Sequence, residues 1–194
     1  MSGTELGRAV LVIARRAIAQ RLGLPAPGAG AHERHERLAQ PGASFVTLRS
    51  RGELRGCIGS VECFRPLAQD VAENAVGAAF RDPRFAPLTA AELPRISVEV
   101  SLLSARELIE AGSEEELLRR LRPGVDGLLI EAVGRRATFL PAVWDMLPEP
   151  QEFLAALKHK AGLSTGFWGP QLRASRYTVT KWTEEDAPAG AAAR

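Results

Sequence analysis

The sequence predicts an α+β fold, an antiparallel or mixed β-sheet with flanking helices, and three observations predict it. Short apolar runs arrive in pairs with a glycine between them, as β-hairpins do. Ile96 to Leu103 alternates Ile96, Val98, Val100 and Leu102 with Ser97, Glu99 and Ser101, the period-two pattern of a half-buried strand. Helically spaced segments separate these runs too irregularly for repeated parallel βαβ crossovers. With 194 residues, 45% hydrophobic and 25% charged, the chain has the balance of a soluble globular protein of one domain or two small lobes.

In chain order, Leu6, Val10, Ile13, Ala17 and Leu24 fall on one helical stripe while Arg8, Arg15, Arg16 and Arg21 fall mostly off it, so Met1 to Leu24 reads as an amphipathic helix. Pro25 to Gly30, rich in proline and glycine, reads as a loop. Ser44 to Leu48 and Glu53 to Gly59 form a first hairpin, turned within Arg49 to Gly52. Leu67, Val71, Asn74, Ala75 and Ala78 have helical spacing, with Pro66 tolerated in the first turn. Arg81 to Pro87, with two prolines, ends that helix. Ser113 and Glu116 form a capping box, predicting a helix over 114–121 whose acidic start matches the helix dipole. Leu128 to Val133 and Arg136 to Leu140 read as a second hairpin turned at Gly134-Arg135. Gln151 to Ala161 reads as a helix closed by Gly162, and Arg176 to Trp182 as a last strand. Residues 1–182 are expected to be one domain, and 183–194 a disordered tail.

The unusual chemistry lies in Leu54-Arg55-Gly56-Cys57-Ile58-Gly59-Ser60. Two glycines leave the backbone bare around a thiol, so a ligand or a second chain could reach main-chain N–H groups. Arg49, Arg51, Arg55 and Arg65 lie close in sequence, and a guanidinium beside the sulfur favours the nucleophilic thiolate, while Glu53 and Glu62 oppose it. The bland alternative is a buried cysteine acting as a small hydrophobe, its glycines serving close packing. Cys63 has no such frame.

Five motifs, in order, resemble the AMMECR-type domain family, whose prokaryotic members are called AmmeMemoRadiSam system protein A. They are Leu54 to Ser60, Asp82 to Thr89 with Glu92-Leu93, Val98 to Ser104, Ala137 to Pro141 and Lys160 to Leu163, and the resemblance runs from about Ala43 to Trp182. It implies a mixed α/β domain with a larger and a smaller lobe. It also implies a three-part system with a Memo-like protein and a radical SAM protein, acting on an unknown small-molecule or protein substrate. Arg55, Gly56, Cys57, Ile58 and Gly59 match the family's signature, and Asp82, Arg84, Phe85, Thr138, Pro141 and Lys160 are further candidates. The segment Val143 to Leu147 is shorter than the family's usual one.

Other classes find less support. A net charge of +2, with only three lysines among 25 basic residues, offers nucleic acid nothing beyond abundant arginine. The run Ala9 to Ala14 is cut by Arg15 and Arg16 far short of the ~20 apolar residues of a membrane span. No export signal is evident, and two cysteines make no disulfide framework, so a reducing cytoplasm is expected. His32 and His35 lack metalloprotease spacing, and a solvated, charge-mixed segment is the simpler reading. Phe167, Trp168, Tyr177 and Trp182 with Arg173 and Arg176 read as a packed corner rather than a stacking strip. There is no Walker loop, dinucleotide fingerprint or three-cysteine iron–sulfur motif, so no cofactor is expected on this chain.

Two readings stay open. In the first, Cys57 attacks or carries an electrophile, Arg55 holds an anionic substrate and the glycine-framed amides stabilise negative charge, with Lys160, His159 and Glu99 as candidate bases. In the second, the same surface grips a partner or ligand and Cys57 is packing.

Overall fold

The computed structural model describes residues 3–26 and 34–184. These form two compact units, one containing residues up to Leu103 together with Thr180 onward, the other Ser104–Val179. Each unit has its own four-stranded antiparallel sheet, so the predicted α+β class is realised twice rather than around a single sheet.

The first unit opens with α1 (Gly3–Arg21), whose buried stripe is Leu6, Val10, Ile13, Ala14 and Ile18. Gly23, at φ 70°, turns the chain out of that helix. Strands β1 (Ser44–Ser50) and β2 (Glu53–Gly59) form the expected hairpin. Arg51 (φ 51°) and Gly52 (φ 83°) make its two-residue turn, with both central residues left-handed as a type I′ turn requires. Next come α2 (Leu67–Phe80) and β3 (Ile96–Leu103), the latter with the boundaries read from its alternation. The sheet order is β2-β1-β3-β8, where β8 is Val179–Thr183. Val46, Leu48, Val98 and Val100 face α1 and α2 and form the core with them.

The second unit has β4 (Glu107–Ile109), α3 (Glu114–Arg120), β5 (Gly127–Ala132), β6 (Arg135–Phe139), α4 (Pro150–Lys160) and β7 (Arg173–Tyr177), with sheet order β4-β7-β5-β6. Ser113 caps α3 as predicted, accepting a hydrogen bond from the Glu116 N–H. Its core stacks Trp144 on Phe153, ring planes 2° apart, with Leu154 and Leu157 of α4 against Leu128 and Ile130. Lys158 is fully buried, donating from Nζ to Glu114 Oε2 at 2.6 Å and to the Thr165 carbonyl at 2.9 Å.

Three expectations need correction. The single last strand is two, β7 in the second sheet and β8 in the first. The chain leaves the second sheet at Thr178, whose N–H and carbonyl are taken up by Ser104. The hairpin turn of β5 and β6 is Val133-Gly134, one residue earlier than expected. The chain also stays ordered past residue 182, since Thr183 lies in β8 and Glu184 pairs with Arg15 and accepts the Val98 N–H. Residues 185–194, most of the expected tail, lie outside the described residues, as do His32 and residues 27–30 of the expected loop. Among the described residues no helix is long and apolar enough to cross a membrane.

Candidate functional site

Strand β2 is an edge strand with a β-bulge. Its register runs Leu48 opposite Gly56 and then Arg49 opposite Leu54, leaving Arg55 as the extra residue. A bulge bends the strand and re-aims a side chain. Here Arg55 donates from Nε to Glu92 Oε1 and from Nη2 to the Ala86 carbonyl, both at 2.9 Å. Its Nη1 is enclosed and, among the described residues, without a hydrogen-bond partner. The Arg55 hydrogen bond, followed by the Thr89 N–H, pulls the Glu92 carboxyl down to about 2.

Gly56 is required by packing, since a Cβ there would lie 2.1 Å from the Ala78 carbonyl oxygen of α2. A Cβ at Gly59 would enter the Phe45 ring at 2.2 Å. The space beside both glycines is therefore filled by protein, and Ile58 packs on Gly77 of α2. Cys57, between them, shares the face of Gly59 and points away from α2. There its half-buried sulfur accepts a hydrogen bond from Thr47 Oγ1 at 3.3 Å. Cross-strand pairing carries this row onward: Cys57 is opposite Thr47, Thr47 is opposite Glu99, and Glu99 meets Lys181 of β8 at 3.3 Å.

The Cys57 N–H points out of the sheet edge and donates to Asp82 Oδ2 at 2.8 Å. The same oxygen accepts from Arg84 Nη2 at 2.7 Å, while Oδ1 accepts Arg84 Nε and the Arg84 N–H. The Arg84 side-chain bonds, then the Cys57 and Arg84 amides, hold the buried Asp82 carboxyl well below the usual carboxylate range against the opposing effect of burial. Arg84 is raised in turn, first by its hydrogen bond to Asp82. Both Arg55 and Arg84 lie on Phe85, their Cζ atoms 5.8 and 5.5 Å from the ring centroid. Arg55, Cys57, Asp82, Arg84 and Phe85 are thus brought together.

Other candidates lie elsewhere. Lys160 and Thr138 belong to the second unit, whereas Cys57 belongs to the first. Lys160 donates from Nζ to the Thr138 carbonyl at 3.0 Å over the Phe139 ring. The Thr138 hydroxyl donates to the Leu128 carbonyl and meets the Tyr177 hydroxyl at 2.7 Å. Pro141 opens a single 3-10 turn, Pro141–Asp145. Cys63 is exposed. His35 accepts the Arg37 N–H at 3.2 Å, a local cap. Phe167 and Trp168 pack on the second core and Trp182 on the first.

Sequence reasoning missed Asp70. It is fully buried and accepts from the Ser44 N–H and hydroxyl, Ser60 Oγ, Asn74 Nδ2 and Arg65 Nε. This network ties the ends of the β1–β2 hairpin to the first turn of α2. Its signal was an acidic residue and Asn74 on the apolar stripe of a predicted helix.

The AMMECR1 family profile matches residues 11–182, nearly the whole described chain. The chain belongs to the AMMECR1 family. A relative from Methanothermobacter thermautotrophicus is 40% identical over 147 residues, 73% of this chain and 74% of that protein. One from Methanocaldococcus jannaschii is 44% identical over 131 residues, 64% of this chain and 63% of that one. The crystal structure of an uncharacterised protein from Pyrococcus horikoshii superimposes with a TM-score of 0.78 at 32% identity, covering 93% of this AMMECR1 chain and 92% of its own.

Proposed function

We propose that this AMMECR1 protein is the cysteine-dependent component of a three-part system with a Memo-like and a radical SAM protein in the cytoplasm, Cys57 reacting with an electrophilic centre of a small-molecule or protein substrate. The observation that carries the reading is the setting of the thiol. It stands on the sheet face away from α1 and α2, with a hydroxyl donated to its sulfur and its backbone pinned by Asp82. Thr47 stabilises developing charge on sulfur, and Glu99 with Lys181, next in the same row, supplies proton-exchanging groups. The Cys57 amide is committed to Asp82, so it supplies no oxyanion hole.

The second reading, a binding module with a structural Cys57, draws on the two glycines, whose open sides are filled by Ala78 and Phe45. Small-molecule profiles of cells lacking the gene separate the two. The metabolite that accumulates should be cleared by the wild-type gene and not by Cys57→Ser or Cys57→Ala, with both variants folded at wild-type levels. Clearance by Cys57→Ala overturns catalysis by the thiol. The binding reading then requires that Arg55→Ala lose its partners in a pull-down.

A further inference from the structure

We propose that Arg55 and Arg84, set on Phe85 at the edge of β2, form an anion subsite that holds a carboxylate or phosphate of the group presented to Cys57. The inference rests on the reading of Cys57 as reactive and names its substrate class.

An enclosed guanidinium nitrogen without an acceptor is rare in native proteins and costs the desolvation of a strong donor. Arg55 Nη1 is in that position, although Nε and Nη2 of the same group are satisfied. The bulge delivers the side chain there, since a regular strand would give Arg55 a cross-strand partner. Arg84 spends Nε and Nη2 on Asp82 and, among the described residues, keeps Nη1 without a partner on a side chain 54% exposed. Among the described residues, two guanidinium groups on one aromatic ring thus each have an Nη1 without a hydrogen-bond partner, and planar forks of this kind suit carboxylate and phosphate oxygens. The site also adjoins the backbone of Cys57. Arg84 Nη2 and the Cys57 N–H share one Asp82 oxygen, so they stand within two hydrogen-bond lengths of each other. Asp82 and Glu92 neutralise the two arginines in the resting protein, so an incoming anion gains from hydrogen-bond geometry and short range rather than from a strong net field.

Paired alkylating agents test this on the full chain carrying Cys63→Ser. Iodoacetate and iodoacetamide undergo the same reaction: the thiol loses its proton to buffer, sulfur displaces iodide, and an S–CH2 bond forms. Only iodoacetate carries a carboxylate. The ratio of its rate to that of iodoacetamide in the folded protein should exceed the ratio in the urea-unfolded protein by about fivefold or more, the size of one charge-assisted contact. Arg84→Met and Arg55→Lys should each bring the ratio back toward the unfolded value, and because the ratio divides out any change in the general reactivity of the thiol, the iodoacetamide rate of each variant serves only as its own denominator. Inorganic phosphate and acetate, as competitors, should slow iodoacetate alone, and the stronger of the two identifies the preferred oxyanion. An unchanged ratio in both variants overturns the subsite and leaves the reactivity of Cys57 standing. If neither reagent labels the folded protein, the Cys57 reading falls, and inorganic phosphate then decides the subsite by its effect on the melting midpoint. A rise in wild type that Arg84→Met abolishes supports the subsite, and no rise overturns it.

Discussion

The two β-hairpins begin from the same local plan and end differently. Each turns on a non-glycine residue followed by glycine, both left-handed: Arg51-Gly52 in the first, Val133-Gly134 in the second. Beyond its turn the β5–β6 hairpin pairs in unbroken register from Ala132 with Arg135 to Leu128 with Phe139. The β1–β2 hairpin slips by one residue at Arg55, lets the backbone of α2 approach at Gly56 and sends Cys57 to the open face. A regular hairpin is enough to build a core. The irregular one gives up ladder regularity and, among the described residues, leaves a guanidinium nitrogen without a hydrogen-bond partner, and the proposed subsite is built on these two local losses.

The comparison breaks most visibly at the glycines. Gly56→Ala drives a methyl against the Ala78 carbonyl, backbone against backbone, which neither element can relieve alone. A loss of about 3 kcal/mol is expected in urea unfolding. Gly134→Ala meets open space and suffers only from its φ of 74°, about 1 kcal/mol. Equal losses would mean that α2 yields and that the close approach is not a constraint.

Acid titration sharpens the same contrast, because the clamp on the bulged strand is built from carboxylates. Glu92 and Asp82 both have folded values below their unfolded ones of 4.5 and 3.8. Their stabilisation is therefore complete above about pH 5 and is lost as pH falls through the folded values, about 2 for Glu92 and lower for Asp82. Wild-type stability should decline from pH 5 to pH 2, and Glu92→Gln and Asp82→Asn should each start lower and decline less. The urea midpoint measured across that range is the check, and slopes identical to wild type would remove these two carboxylates from the account.

How much of this was legible follows from range. The capping box at Ser113 and Glu116, the alternation of β3 and the spacing of α2 are local, and the structure keeps them. The signature around Cys57 was visible as residue types, but its meaning was not, because Gly56 answers to Ala78 and the Cys57 amide to Asp82, each more than twenty residues away. The bulge at Arg55 stands beside Gly56, but that glycine is equally explained by the close approach of α2, so residue type alone did not single the bulge out. The division of the last strand between two sheets was hidden by an apolar pattern that continues through Thr178. Thr138 and Lys160 entered as candidates by motif, yet among the described residues their hydrogen bonds stay within the second unit, where they join β6 to its neighbours.

The smallest effect concerns the turns themselves. Val133 holds φ 50°, a left-handed conformation that crowds a β-branched side chain, and it is largely exposed, so no packing compensates. Arg51 shares the conformation without the branch at Cβ. Asn favours the first position of such turns, so Val133→Asn should stabilise the protein by ~0.5–1 kcal/mol and Arg51→Asn by less. Differential scanning calorimetry should show the larger rise in midpoint for Val133→Asn. Neither change touches the Cys57 row or the two arginines on Phe85, so Cys57 alkylation should keep its wild-type rate in both. A gain at Arg51 equal to that at Val133 would show that the left-handed backbone, rather than the β-branched side chain, sets the strain in these two turns.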